Sequence, residues 1–223
     1  MLFLISSLTT ALWAAACAQG LDLDRARSVR FSMPGWSEEK PQKGMRVWRD
    51  VDGDLLSMTV SVGPISDLDC SSETQLRQSA RQLAQRGGGG LIEAAVIAPP
   101  PRCIVSLIYK RLESPAYIYT GLLVMTGGSF SIMWTAVAGE RGMTGVREAV
   151  ITAEMMKAGE LTLESYKRSW AQDPYDPAYH GVERSVLRFL SDDERYDVRF
   201  PQHPLSKVRR VLAGIPASVT GLQ

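Results

Sequence analysis

The chain has 223 residues, enough for one ordinary domain or for one domain with a substantial extension. Hydrophobic residues make up 45% and charged residues 22%, the balance of a soluble fold with a sizeable core. A net charge of +1 excludes a whole-chain electrostatic footprint for nucleic acid or an anionic membrane. The densest basic run, Lys207-Val208-Arg209-Arg210, is short and reads as a solvated helix face.

Residues 1–19 contain no Lys, Arg, Asp or Glu and run from Leu2-Phe3-Leu4-Ile5 through Trp13 into an alanine run. This reads as a secretory signal peptide over 1–18, with Ala16-Cys17-Ala18 before Gln19 as a small-x-small cleavage site. Ala14-Ala15-Ala16-Cys17 also resembles a lipobox, which makes Cys17 a candidate for lipidation. A positive n-region is missing, so a wrong start codon or a buried N-terminal helix is the alternative. No later segment approaches the roughly 18 uninterrupted apolar residues of a spanning helix. In an exported chain Cys70 and Cys103 remain as an even pair, which suggests a disulfide contributing roughly 3–4 kcal/mol. Two separate buried thiols are the other reading, since Cys103 sits in an apolar strand.

Ser28–Met33 is expected as a short strand, turned out by Pro34-Gly35. Met45–Asp50 and 54–62 are expected to pair antiparallel across Asp50-Val51-Asp52-Gly53-Asp54, because Gly after Asp tolerates the positive φ of a hairpin turn. In the second strand Leu56, Met58, Val60 and Val62 alternate with Ser57, Thr59 and Ser61. A helix then runs from a Ser72 cap, with Gln75 reaching back, to Gly87. Leu76, Ala80, Leu83 and Ala84 lie along one face of it. Leu91–Ile97, Cys103–Lys110, Tyr117–Met125 and Ser129–Val137 are strands whose short connections favour an antiparallel meander. A second helix is expected from a Thr144 cap to Gly159, with Val146, Ala149, Val150 and Ala153 as its apolar stripe.

The order predicts an α+β fold over residues 28–158, an antiparallel sheet with helices packed on it. Residues 159–223 form a helical C-terminal extension. It holds a helix over Thr162–Trp170, a stop at Asp173–Pro177 and a capping-box candidate at Ser191-Asp192-Asp193-Glu194. A last helix opens on Pro204, passes Leu205, Val208, Val211 and Leu212, and is stopped by Gly214 and Pro216.

The chemistry-bearing residues are sparse. Asp50, Asp52 and Asp54 occupy positions 1, 3 and 5 of a calcium loop, but Leu55 and Ser61 stand where Gly and Glu are required, so the hairpin reading wins. Gly87–Gly90 follows a helix and lacks Gly-Lys-Ser/Thr, which makes it a flexible helix terminus rather than a phosphate loop. His180 and His203 show no zinc-ligand spacing, so neither a metal nor a cofactor is assigned, and His203 reads as a structural hydrogen-bonding group. A Cys103–His203 dyad would supply a nucleophile and a base, but a thiol buried on a strand is inert, and no catalytic residue is assigned. Glu140, Thr144, Arg147 and Glu148 form a polar cluster at the strand-to-helix corner. An Arg–Glu pair pinning that corner is the structural reading. Attraction of an anionic group to a helix N-terminus bearing Arg147 is the functional one. Trp134, Tyr117 and Tyr119 are core aromatics if the extension covers their face, and a partner surface if it does not.

Phe31-Ser32-Met33-Pro34-Gly35-Trp36, the Gly-Gly-Leu-Ile-Glu after the first helix, and Glu140 to Glu148 (Glu-Arg-Gly-Met-Thr-Gly-Val-Arg-Glu) resemble proteins of the PsbP-like fold. That α/β/α sandwich is shared by the photosystem extrinsic protein, DcrB-like lipoproteins and Eag-type secretion chaperones. The resemblance covers residues 28–158, and the extension looks like the tail of uncharacterised bacterial relatives. It implies a non-catalytic binding or assembly module of the bacterial cell envelope, periplasmic or secreted, a lipoprotein if Cys17 is modified. The expected partner is another protein, with no nucleic acid and with membrane contact only through a lipid anchor. A cytoplasmic adaptor or chaperone for a secreted effector is the alternative. Glu140, Thr144, Arg147 and Trp134 are the candidate binding residues.

Overall fold

The computed structural model describes residues 20–41, 45–65, 68, 70–100 and 102–220. The expected signal peptide and Cys17 lie outside the described residues.

Period-2 sequence builds one sheet. Strands β2 (Trp36–Glu38), β3 (Arg46–Asp50), β4 (Leu55–Val62), β5 (Gly90–Ala98), β6 (Cys103–Glu113), β7 (Ala116–Thr126) and β8 (Phe130–Gly139) form seven antiparallel strands in the order β2-β3-β4-β8-β7-β6-β5. The β5–β8 meander runs as expected, and the β3–β4 hairpin closes through Gly53 at φ +82°. The expected strand over 28–33 is shorter: α1 (Leu23–Ser28) precedes it, and β1 (Arg30–Phe31) pairs with β11 (Val219–Thr220). Asp22 caps α1 by accepting from the Arg25 N–H at 2.9 Å, which is why the chain turns helical there.

Both faces of the sheet are covered. Helix α2 (Glu73–Arg86) lays Leu76, Ala80, Leu83 and Ala84 on Leu91, Val105, Leu107, Leu122 and Val124. Its Ser72 side chain accepts from the Gln75 N–H, and Gly87 ends it, as the sequence implies. The opposite face carries Leu56, Met58, Val60, Ile108, Leu123, Ile132 and Trp134 under α5 (Pro204–Ser218), which contributes Leu205, Val208, Val211, Leu212 and Ile215. The C-terminal extension is therefore the second outer layer of the sandwich. A Cβ on Gly121 would lie 2.5 Å from Val208 Cγ1 and 2.7 Å from Leu212 Cδ1, so the absent side chain lets α5 settle onto β7.

One expectation fails along α5. Gly214 and Pro216 do not stop the helix, which continues to Ser218. Gly214 admits Met33, whose Cε would be 2.9 Å from a Cβ, and the Ser218 hydroxyl donates to the Gly214 carbonyl. Gly89 and Gly90 are close-approach positions: a Cβ would lie 2.4 Å from the Lys110 carbonyl oxygen and 2.2 Å from that of Val186, respectively.

The rest of the extension packs around the β5 side. Its helix α4 (Leu163–Ser169) and β9 (Ala171–Gln172), paired with β10 (Arg188–Phe189), join helix α3 (Val146–Lys157), which precedes the extension, around a third cluster of Ile151, Met155, Leu161, Trp170, Leu187 and Phe189. Thr162 and Ser165 form the reciprocal cap of α4. Tyr175 blunts the outer edge of β5: its hydroxyl accepts from the Ala94 N–H at 2.8 Å and donates to the Ala94 carbonyl at 2.9 Å. Cys70 and Cys103 are joined by a disulfide, Cα atoms 5.7 Å apart, tying the segment before α2 to the start of β6.

Candidate functional site

The corner between β8 and α3 is pinned by one carboxylate. Glu140 Oε2 accepts from the Tyr117 N–H and Oε1 from the Gly145 N–H, each at 2.9 Å. The helix then starts at Gly145, in the left-handed conformation (φ 71°) and without a side-chain cap, so Thr144 is not its cap. The expected stripe of α3 is also displaced. Val146, Ala149 and Ala153 are exposed, while Arg147, Ile151 and Met155 are buried.

The reason is Arg147. Its guanidinium is 1% exposed and donates to the Ser191 carbonyl (2.7 Å), Asp197 Oδ1 (2.9 Å), Ser206 Oγ (2.9 Å) and the Asp193 carbonyl (2.9 Å). These partners come from the turns over 190–197 and from α5, so a charged side chain faces inward and carries the helix face with it. Arg147 pairs with Asp197 rather than with a glutamate, and it is not offered to an external anion. Trp134 is fully buried between Phe31 and Trp48, ring centroids at 4.8 and 5.5 Å, so it is core and not a binding surface.

Beside Arg147 lies a second buried cation. Lys110 on β6, 0% exposed, donates to Asp192 Oδ2 at 2.7 Å and sits over the Phe189 ring. Burial lowers the Lys110 pKa, opposed by the Asp192 carboxylate. Asp192 Oδ2 also accepts from the Phe189 N–H at 2.7 Å, which bends the chain into its turn.

His203 completes the cluster. It caps α5, its Nδ1 accepting from the Leu205 N–H at 3.3 Å with Pro204 at the first helical position. Its ring meets Tyr119 edge-on at 5.3 Å. Its Nε2 lies 3.9 Å from Glu140 Oε1 and 3.8 Å from Glu148 Oε1. Burial, reinforced by Arg147, pushes the His203 pKa down to about 3, so the ring is neutral. Burial raises the Glu148 pKa, and the nearby Asp192 carboxylate raises it further. His203 Nε2 and both oxygens of Glu148 have no hydrogen-bond partner among the described residues.

This corner opens into a two-chambered surface cleft. One chamber, about 490 Å³, lies between the Met33–Trp36 loop, the β3–β4 hairpin and α5, with an apolar lining that includes Val137, Val211 and Ala217. The other, about 630 Å³, is lined by Glu140, Arg141, Met143, Arg199, Phe200 and His203. Asp52, Gln202 and Lys207 belong to both. Lys207 stands in the wall between them, its Nζ 3.0 Å from Asp54 Oδ2, 3.9 Å from Asp50 Oδ2 and in contact with Asp52. The three aspartates of the broken calcium loop thus surround an ammonium. Val51 and Met143, 94% and 83% exposed, stand at the rim.

Of the residues expected from sequence, Glu140 and Arg147 are brought to one corner with Glu148, while Cys103 and His203 are not brought together. Cys103 is bonded to Cys70 and packs on the α2 side of the sheet, whereas His203 packs on Tyr119 under the other layer. Glu140, Glu148 and His203 meet with one ligand-capable atom from each within 4.8 Å of the others, a grouping made in space that spacing along the chain does not show. The cue present in the sequence was His203 before Pro204, a helix-start pattern that fixes the ring at a helix N-terminus. His180 is exposed in its loop.

No helix among the described residues is long and apolar enough to cross a membrane. No family model and no curated protein matches this chain. A crystal structure of a protein from Bacteroides thetaiotaomicron VPI-5482 is similar to it at 12% identity and a TM-score of 0.35, covering 56% of this chain and 44% of that one. The chain thus spans less than half of that neighbour, and a likeness at this level carries no argument about family or function.

Proposed function

We propose that the protein is a non-catalytic binding module of the bacterial cell envelope, and that it seats its ligand or partner protein in the two-chambered cleft. The observation that carries this reading is the cleft itself. It is a concave surface with an apolar chamber, a second chamber of mixed lining that carries Glu140, Arg141 and Arg199, and two bare apolar side chains, Val51 and Met143, on its rim. Concave sites with mostly apolar walls and a few convergent polar groups are where ligands and anchoring side chains bind. The Cys70–Cys103 disulfide supports an oxidising compartment, where such bonds persist.

The test has two parts. Intact mass and an N-terminal read on protein from fractionated cells should give a mature chain beginning at Gln19 or a lipid on Cys17, with Cys70 and Cys103 oxidised. A full-length cytosolic chain with both thiols reduced would replace this reading with the adaptor or chaperone. Purified wild type should then retain a ligand or partner from envelope extract that the Val51→Asp/Met143→Asp double variant loses. Equal retention by both would remove the cleft from the argument.

A further inference from the structure

We propose that Glu140, Glu148 and His203 bind a divalent first-row transition cation, with Zn²⁺ the best match to their donor set. This gives the cleft reading a ligand chemistry, but its test depends neither on where the protein resides nor on which partner it takes.

The first support is geometric. Two neighbouring elements, the β8–α3 corner and the first turn of α3, and one distant in sequence, the start of α5, place two carboxylate oxygens and an imidazole nitrogen within 4.8 Å of one another. The His203 side chain is 8% exposed, and its unpartnered Nε2 points at both carboxylates. Glu140 is already oriented by two backbone N–H groups, the kind of outer support that metal-binding carboxylates have.

The second support is charge. Lys110 and Arg147, the cations buried beside this group, are engaged elsewhere: Lys110 by Asp192, Arg147 by Asp197, Ser206 and two carbonyls. Glu148, its side chain 13% exposed, is left with two unpartnered oxygens. A buried carboxylate is stable only if it is neutralised or paired, and a bound cation supplies the missing partner.

The donor set selects the ion. Imidazole nitrogen with carboxylate oxygen suits Zn²⁺, and next Mn²⁺ or Fe²⁺, better than the all-oxygen preference of Ca²⁺ or Mg²⁺. Three protein ligands leave the shell incomplete, and Glu140 and His203 also line the 630 Å³ chamber, which has room for a water or a ligand atom to complete it. Binding also rearranges one proton. With Nδ1 accepting from Leu205, the neutral ring carries its proton on Nε2. The metal takes the Nε2 lone pair, that proton moves to Nδ1, and the 3.3 Å cap contact is given up.

The experiment is zinc titration of the chelator-stripped full-length chain by calorimetry, with ¹⁵N spectra of the His203 ring. Wild type should bind one Zn²⁺, and the ring signal should change from the Nε2–H to the Nδ1–H tautomer. Glu148→Gln and His203→Gln should each weaken binding about tenfold or more. His180→Gln and Asp52→Asn, which alter the exposed histidine and the separate aspartate cluster, should bind as wild type does. Glu148→Gln removes a buried carboxylate without partners, so it should melt no lower than wild type in the metal-free state. That variant decides the question even if His203→Gln fails to fold. Absence of saturable binding, binding unchanged in Glu148→Gln, or binding lost in His180→Gln or Asp52→Asn would each overturn the site.

Discussion

Arg81 on α2 grips Asp173, 92 residues further along, through two parallel bonds of 2.8 and 2.9 Å. The aspartate is fully buried and the arginine largely so. This fork clamps the C-terminal extension to the outer face of the sheet's first helix, and a planar guanidinium is the group that fits it. Arg81→Ala should destabilise the chain by about 3 kcal/mol, because it leaves the Asp173 carboxylate buried without its partner. Arg81→Lys should recover only part of this. Urea unfolding of the three proteins measures it, and a loss below about 0.5 kcal/mol for Arg81→Ala would show that the fork is not a structural clamp.

Arg147 holds together the corner of α3, the 190–197 turns and α5. Removing the guanidinium takes the donor from the buried Ser191 carbonyl and empties the space between the three elements, while Asp197 keeps Ser206 and Arg209 and the Asp193 carbonyl keeps the Tyr196 N–H, so Arg147→Ala should cost about 2–3 kcal/mol. The comparison is Val146→Ala, one residue earlier on the exposed side, expected to fall within about 0.5 kcal/mol of wild type. Similar losses in the two would place the hydropathy stripe, rather than the arginine, on the inner face.

Glycine positions separate close approach from simple turns. Gly90→Ala should be strongly destabilising, since its Cβ would fall 2.2 Å from the backbone oxygen of Val186, which cannot swing away. Overpacking of this kind costs about 1–3 kcal/mol or more. Gly128→Ala, in an exposed turn with open space around its Cβ, should stay within about 0.5 kcal/mol of wild type. Thermal melts of the pair suffice, and equal melting temperatures would contradict the packing of the extension against β5.

His203 gives the metal-free protein a defined acid sensitivity. Its folded pKa of about 3 lies below the ordinary 6.5, so the unfolded chain takes up the proton first. Its contribution is present above pH 6.5 and is lost as pH falls from 6.5 toward 3, a total on the order of 5 kcal/mol. Glu148 acts oppositely: its raised pKa favours the folded state at low pH and penalises it as pH rises through the folded value. With chelator present, His203→Asn, which keeps a capping side chain, should flatten the decline below pH 6.5, whereas Glu148→Gln should steepen it. Parallel melting curves for wild type and His203→Asn between pH 7 and 4 would show that the ring does not stay neutral on folding.

Much of the architecture is legible before folding is considered. Alternating Leu56, Met58 and Val60 announce β4, Leu76, Ala80 and Leu83 announce α2, and Pro204 marks the start of α5. Hydropathy located α3 but misassigned its inner face, because that face is led by an arginine whose four acceptors sit 44 to 59 residues away. It also stopped α5 too early, since the space that Gly214 leaves for Met33 is a tertiary contact.

By itself, then, the sequence determined the local repeats, the caps and the tight turn at Gly53, because strand and helix periods and the φ limits of glycine and proline act over a few residues. Only the tertiary structure decided that α5 covers the second face of the sheet, that Trp134 is core, and that Glu140, Glu148 and His203 meet. Those outcomes depend on pairing buried charges and filling space across long separations, and a charged residue in a chain carries no mark of whether a distant partner will let it be buried.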